Sequence, residues 1–182
     1  MALLQPPRRH VLLTGKPGIG KTTILMEVAR DLPEGHCLGF LTEALHRQGR
    51  RMGFEVVTLD GRRAPLAQKR EGRSGTRIGP YVVELESFEA LVLPLLERML
   101  SHPRPVLIDE IGKMECLSAA FRSHVWRVLE EGPPAIATVP LGGSTPFLRT
   151  LKERPDIELL EVTALERDKL PEMLRKAILD WK

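Results

Sequence analysis

The chain predicts an α/β fold, a mainly parallel central sheet covered by helices on both faces in a three-layer sandwich. Three observations carry that expectation. Short apolar runs alternate with amphipathic helical stretches along most of the 182 residues, the pattern of βα units wound onto a parallel sheet. A glycine-rich loop from Gly15 to Gly20 joins the first apolar run to the first helical stretch. A second apolar run, Pro105 to Ile108, ends in two carboxylates, Asp109 and Glu110. In open α/β sheets, ligands bind at the carboxyl ends of the strands.

Taken in order, His10–Thr14 is the first strand, and the helix after its loop runs to about Leu32, closed by Pro33 and Gly35. Leu38–Leu41 is a short second strand that opens into Thr42 and Glu43. Arg51–Leu59 is a further strand, and Asp60-Gly61 is a turn signal. The Gly- and Arg-rich stretch to about Gly79 is expected as a mobile loop, with strand returning at Tyr81–Leu85. Residues 46–85 thus form a small antiparallel insertion. Ser87 is the expected cap of a helix that turns Phe88, Leu91, Leu95 and Met99 inward, with a kink at Pro94. After the Asp109 strand, Ser118 caps a helix with Phe121, Val125, Val128 and Leu129 on one face, ending at Gly132-Pro133-Pro134. Ala135–Val139 is a strand, Thr145-Pro146 begins a short helix, and Ile157–Val162 is the last strand. The closing helix runs from Asp168 to about Asp180 and buries Leu170, Leu174 and Ile178. No repeat or low-complexity segment interrupts this single domain, residues 1–182.

Residues 15–22, Gly-Lys-Pro-Gly-Ile-Gly-Lys-Thr, match the Gly-x-x-x-x-Gly-Lys-[Ser/Thr] phosphate-binding loop, or P-loop, in its required place between strand and helix. The glycines let successive N–H groups point inward at phosphate oxygens, and the helix N-terminus adds its positive end. Lys21 is placed to reach the β- and γ-phosphates and Thr22 to ligate Mg²⁺, the expected cofactor. Asp109 is the second expected metal-holding group, opposite Thr22. Glu110 beside it can polarise a water for attack on the γ-phosphorus, which suits hydrolysis and which a kinase does not need. A salt-bridged acid at a strand end is the competing reading of Glu110. The expected nucleotide-contacting set is Gly15, Lys16, Pro17, Gly18, Ile19, Gly20, Lys21, Thr22 and Thr23, with Val106, Leu107, Ile108, Asp109, Glu110, Ile111, Gly112 and Lys113.

Composition bounds the partners. With 42% hydrophobic and 28% charged residues, the chain has the balance of an ordinary globular domain. No run approaches the roughly 18 apolar residues of a membrane span, and residues 1–9 form a short tail without signal-peptide character. Two cysteines, Cys37 and Cys116, point to reduced thiols and a cytoplasmic setting. The five histidines are scattered, so structural zinc is not expected. Between His46 and Pro80, nine basic residues face three acids, giving that segment +6 of a total of +3, so the remainder carries −3. A solvated loop, or a lid that clamps the polyanionic nucleotide, accounts for such a stretch. Nucleic acid is not the expected partner, because the segment lacks the interleaved aromatics of stacking platforms. Protein partners are left open.

Further strings sharpen the reading. Gly39-Phe40-Leu41-Thr42-Glu43, Arg50-Arg51-x-Gly-Phe54, Arg77-x-Gly-x-Tyr81-Val82-Val83 and Asp109-Glu110-Ile111-Gly112-Lys113-Met114-Glu115 together resemble the THEP-type nucleoside-triphosphatases, called cancer-related nucleoside-triphosphatases in animals. The resemblance spans about His10 to Arg167. It implies Mg²⁺-dependent hydrolysis of several nucleoside triphosphates (ATP, GTP, CTP, UTP) to the diphosphate and phosphate, slowly and with little base selectivity. It also implies a RecA-like P-loop core, in which one strand separates the phosphate-loop strand from the Asp109 strand.

Lys113, inside the last string, is either an internal cation for charge developing on the γ-phosphoryl group or a lysine paired with Glu115 or the helix that follows. Glu43 either orders water near the γ-phosphate or is a strand-end surface acid. Arg167 follows the last strand, where a nucleotide base commonly rests in this architecture. Hydrolase is the favoured function. A nucleoside or small-molecule kinase and a nucleotide-gated interaction switch are the alternatives.

Overall fold

The phosphate-loop strand His10–Thr14 (β1) is buried along its whole length, because a parallel strand has no solvent-facing side. The computed structural model describes residues 9–70, 74–142 and 145–180. Residues 1–8 of the expected tail, Glu71–Arg73 of the basic segment, Gly143–Ser144 and residues 181–182 lie outside the described residues. Helix α1 spans Lys21–Arg30, followed by strands β2 (Leu38–Arg47), β3 (Arg50–Thr58), β4 (Arg63–Gln68), β5 (Arg77–Ile78) and β6 (Tyr81–Val83). Helix α2 (Leu85–Leu100), β7 (Val106–Ile108), α3 (Ala119–Glu131), β8 (Ala135–Thr138), α4 (Pro146–Lys152), β9 (Ile157–Glu161) and α5 (Leu170–Asp180) complete the chain.

All these strands join one sheet in the order β5-β6-β4-β3-β2-β7-β8-β1-β9. Strands β2, β7, β8, β1 and β9 are parallel, while β3, β4, β5 and β6 extend the sheet antiparallel from β2. Strand β8 therefore separates the phosphate-loop strand from the Asp109 strand, the RecA-like order. On one face, α2, α3 and α4 pack through Phe88, Leu96, Phe121, Val128 and Leu148. On the other, α1 and α5 pack through Leu25, Val28, Leu174 and Ile178. The result is the expected α/β three-layer sandwich of a P-loop NTPase.

Several boundaries differ from the sequence expectation, each for a local reason. Strand β2 does not end near Leu41 but runs to Arg47, because β3 pairs with it antiparallel along that length. The turn between them places Gln48 and Gly49 at φ +50° and +73°, a primed hairpin turn that Gln-Gly signals poorly. The stretch expected as a mobile loop contains β4. Pro65 argues against a strand in sequence, but here it lies at the register shift opposite Phe54 and Glu55, where the ladder is already interrupted. Helix α2 begins at Leu85 rather than under a Ser87 cap, with Glu84 as the cap residue, and it runs unbroken through Pro94. The Ser118 and Thr145 caps form as expected, accepting from the N–H groups of Phe121 and Leu148.

Candidate active site

Four strand ends converge at the carboxyl edge of the parallel strands. From β1 comes the phosphate loop, in which Gly15, Gly18 and Gly20 have φ of +153°, +78° and +112°. A Cβ added at Gly18 or Gly20 would meet nothing within 4 Å. Glycine is required there by backbone conformation, and the space above the loop is open. Gly20 caps α1 without any side-chain hydrogen bond to the first turn, so the free N–H groups face that space as an anion site. The Lys21 ammonium donates to the Gly15 carbonyl at 3.2 Å, and its charge acts on both Asp109 and Glu110. Loop and acids thus face one another across a single site.

Asp109 is fully buried. Its carboxylate accepts from the Thr42 N–H at 3.2 Å and from the Thr138 hydroxyl at the end of β8, and the Thr22 hydroxyl also favours its charged form. The Thr42 hydroxyl donates to the Asp109 carbonyl at 2.7 Å. Burial pushes the Asp109 carboxyl above its ordinary range, against those hydrogen bonds and the Lys21 charge. Glu110 is pushed upward too, by burial first and then by Asp109 beside it, with Lys21 opposing. Among the described residues no three His, Cys, Asp or Glu side chains converge as a ready-made metal site. The donors at hand, the Thr22 hydroxyl and the Asp109 carboxylate, are hard oxygens suited to a cation that takes the rest of its shell from water and phosphate.

The expected contact residues divide. Lys16, Pro17, Gly18 and Thr23 are exposed, while Ile19, Gly20, Lys21 and Thr22 are half-buried at the mouth of the site. Val106, Leu107, Ile108 and Ile111 are 0% exposed and belong to the two cores. They carry the acids and present no side chain to a ligand. Lys113 is exposed; the alternative pairing with Glu115 does not form, since Glu115 is buried at 4% exposure. Glu43 bonds Arg63 at 3.1 Å, and the same guanidinium holds Glu55. Arg167 lines a cleft together with residues of the phosphate loop. With Asp168 it walls this cleft of about 330 Å³, whose other lining includes Gly18, Ile19, Gly20 and Thr23. The larger cavity, about 510 Å³, lies at the opposite edge of the sheet beside Cys37 and Arg98 and contains none of the predicted site residues.

In the sequence Glu115 figures only in the family string and as a partner for Lys113, and Thr138 only as a residue of a strand. A Cβ on Gly112 would lie 2.7 Å from Glu115 Oε2 and 3.0 Å from Glu110 Oε1, so the two carboxyl groups flank one bare backbone position. Burial, then the Glu110 charge, lifts the Glu115 carboxyl to about 8. The folded protein holds this proton to about pH 8, whereas the unfolded chain releases it near the ordinary 4.5. Folded protein therefore binds more protons within that window, and stability falls as pH rises through it. Glu115→Gln should gain thermal stability relative to the parent as pH is raised from about 5 to about 9. A Tm difference that stays constant over that range would contradict the burial argument.

Comparisons with known proteins bear on the family and the fold. A family model described as NTPase matches residues 10–175. The Bos taurus protein named "Cancer-related nucleoside-triphosphatase homolog" is 39% identical over 180 residues, covering 91% of this chain and 95% of that one. The crystal structure of THEP1 from the hyperthermophile Aquifex aeolicus is similar at TM-score 0.83 and 31% identity, over 93% of this chain and 98% of that chain. The solution structure of a human cancer-related nucleoside triphosphatase is similar at TM-score 0.78 and 37% identity, over 96% of this chain and all of that one. On the extent of these matches, with the phosphate loop and the two acids in their places, the chain belongs to the NTPase family.

Proposed function

We propose that the chain hydrolyses nucleoside 5′-triphosphates to the diphosphate and phosphate, with Mg²⁺, broad base tolerance and slow turnover. The observation that carries this reading is Glu110, half-buried beside Asp109 within the field of Lys21. The phosphate loop and Lys21 bind the triphosphate, while Thr22 and Asp109 hold the metal. Bound there, Mg²⁺ would neutralise charge on the β- and γ-phosphate oxygens. Glu110 orients a water and accepts its proton as the oxygen attacks phosphorus and the bond to the diphosphate breaks. Lys113 remains a candidate for neutralising γ-phosphoryl charge, and its exposed position fits a modest contribution and a slow rate. Broad base tolerance is what the family resemblance implies, and the base would lie in the cleft walled by Gly18, Ile19, Gly20 and Ile24 together with Thr23, Glu27, Arg167 and Asp168. A cytoplasmic setting suits two cysteines that are both unpaired and buried. No helix among the described residues is long and apolar enough to cross a membrane.

The direct test is steady-state phosphate release from ATP, GTP, CTP and UTP with water as sole acceptor. Release from all four within about tenfold of one another, or about 1.4 kcal/mol in barrier, is expected. Phosphate transfer that requires an added acceptor would sink the hydrolase reading.

Two further outcomes follow from the geometry. Excess EDTA should abolish phosphate release yet leave the unfolding curve of the nucleotide-free protein unchanged, because the metal is held largely by ligands that arrive with the nucleotide. Activity persisting in EDTA would remove the metal from the mechanism. Gly112→Ala forces a methyl group against Glu110 and Glu115. A displacement of Glu110 by about 1 Å should lower kcat by roughly 10²-fold, with folding intact by circular dichroism. Unchanged kcat would mean that Glu110 moves freely without consequence.

A further inference from the structure

We propose that the hairpin arm formed by β2 and β3, with the aromatic pair at its root, is a binding surface for single-stranded nucleic acid. This inference stands independently of the hydrolysis reading. Beyond Phe40, β2 leaves its parallel partner β7 and continues paired with β3. Thr42 touches Asp109, and the strand extends on to Arg47. At about 3.4 Å per residue the arm's tip lies roughly 17 Å beyond Thr42. Strand β4 returns to the same end, where the Lys69 N–H donates to the Met52 carbonyl at 2.7 Å.

Charge at that end is left unbalanced. Arg47, Arg50, Arg51 and Lys69 are exposed, and none has a carboxylate partner among the described residues. Nearer the sheet the pattern reverses: Arg63 is held by Glu43 and Glu55, and Arg70 lies 3.3 Å from Glu84. Arg47 and Arg50 face each other as cross-strand partners, an arrangement in which like charges destabilise the pair. A polyanion laid along the arm relieves that repulsion.

The second feature selects the kind of polyanion. Phe54 of β3 and Tyr81 of β6 meet edge to face with ring centroids 5.1 Å apart. The Arg51 guanidinium lies 5.5 Å from the Phe54 ring centroid, and the Lys69 ammonium 5.6 Å from that of Tyr81. Both rings are half-buried, packed against the core and only partly covered by it. Aromatic rings and guanidinium planes beside phosphate-binding cations recognise unstacked bases, and a duplex hides its base faces. Phe54 lies inside the basic segment and Tyr81 just beyond its end, and only the folded sheet brings the two rings together.

The test is fluorescence anisotropy of a labelled oligouridylate of about 20 nucleotides, long enough to cover one site, with the full chain. Four cations on phosphates give a log–log salt slope of about −2.8, so affinity should fall roughly fifty-fold between about 50 and 200 mM salt. Arg50→Ala/Arg51→Ala should halve the slope, reducing that loss to about sevenfold, with nucleoside-triphosphate hydrolysis unchanged. Arg51→Lys should keep the slope but bind more weakly, because its charge stays and its stacking plane goes. No binding at about 50 mM salt, or a double variant that binds like the parent, overturns the proposal. Equal affinity for heparin or for a duplex of the same length overturns the single-strand assignment. A double variant whose only change is a raised KM for ATP would make the arm a substrate clamp instead.

Discussion

Glu110→Gln should bind nucleotide and Mg²⁺ normally and hydrolyse them roughly 10²–10⁴ times more slowly, the share of a positioned general base. The substitution keeps volume and polarity and removes one negative charge. Lys21, Thr22, Asp109 and the loop N–H groups are untouched. The loss should appear in kcat, with KM unchanged or lower, because the missing interaction forms chiefly as the water attacks. Single-turnover kinetics and nucleotide titration separate the two quantities. Hydrolysis at the parental rate would leave Glu110 as a structural acid and move attention to Glu43, although Glu43 is already engaged by Arg63. Loss of nucleotide binding would instead mean that Glu110 belongs to the metal site. The neighbouring Glu115 makes the experiment more informative. Its carboxyl shares the bare Gly112 position with Glu110, and neutralising Glu110 removes a charge that pushes the Glu115 value upward. The variant should therefore fold at least as stably as the parent.

Lys21→Ala should cost at least about 3 kcal/mol of transition-state stabilisation, the scale of losing a preorganised electrostatic donor. That corresponds to a rate loss above about 10²-fold. Triphosphate affinity should fall as well, because the ammonium spans the Gly15 carbonyl and the field of the two acids. Those acids lose the cation that opposes their upward shifts, so each should hold its proton more tightly in the variant. Near-parental turnover in a folded Lys21→Ala protein would overturn the site assignment.

Much of this site is written in consecutive residues, and that part was legible. The loop from Gly15 to Thr22 and the pair Asp109-Glu110 each lie within one short segment, where motif and flanking elements are visible together. Parallel strands were equally legible where burial on both faces leaves unbroken apolar runs, as in β1 and β7. What escaped was assembled from different strands. Thr138 reaches Asp109 across 29 positions and the Thr42 N–H across 67, and no periodicity encodes such partners. Glu115 is a glutamate in a polar-looking turn, and only the packing of the turn after β7 shows that it is buried. Strand β4 was obscured by Pro65, whose ring is tolerated only because the ladder slips there. Lys113 keeps its side chain in solvent, so its place in a motif-rich string does not by itself name a partner.

The strand order has a consequence for how the protein can change. Phosphate loop and acids are carried by β1 and β7 and separated by the single strand β8, a span of about two strand spacings, near 10 Å. That distance is a ruler graduated in backbone hydrogen bonds, and side-chain volume does not enter it. Swapping one buried aliphatic group for another on either face can loosen or tighten the layers without moving the marks on the ruler. Damage to thermal endurance and damage to chemistry should therefore be separable across much of the interior. The exception is Thr138, whose hydroxyl reaches the buried acid from β8, where a change in the ruler's own material would be read directly at Asp109.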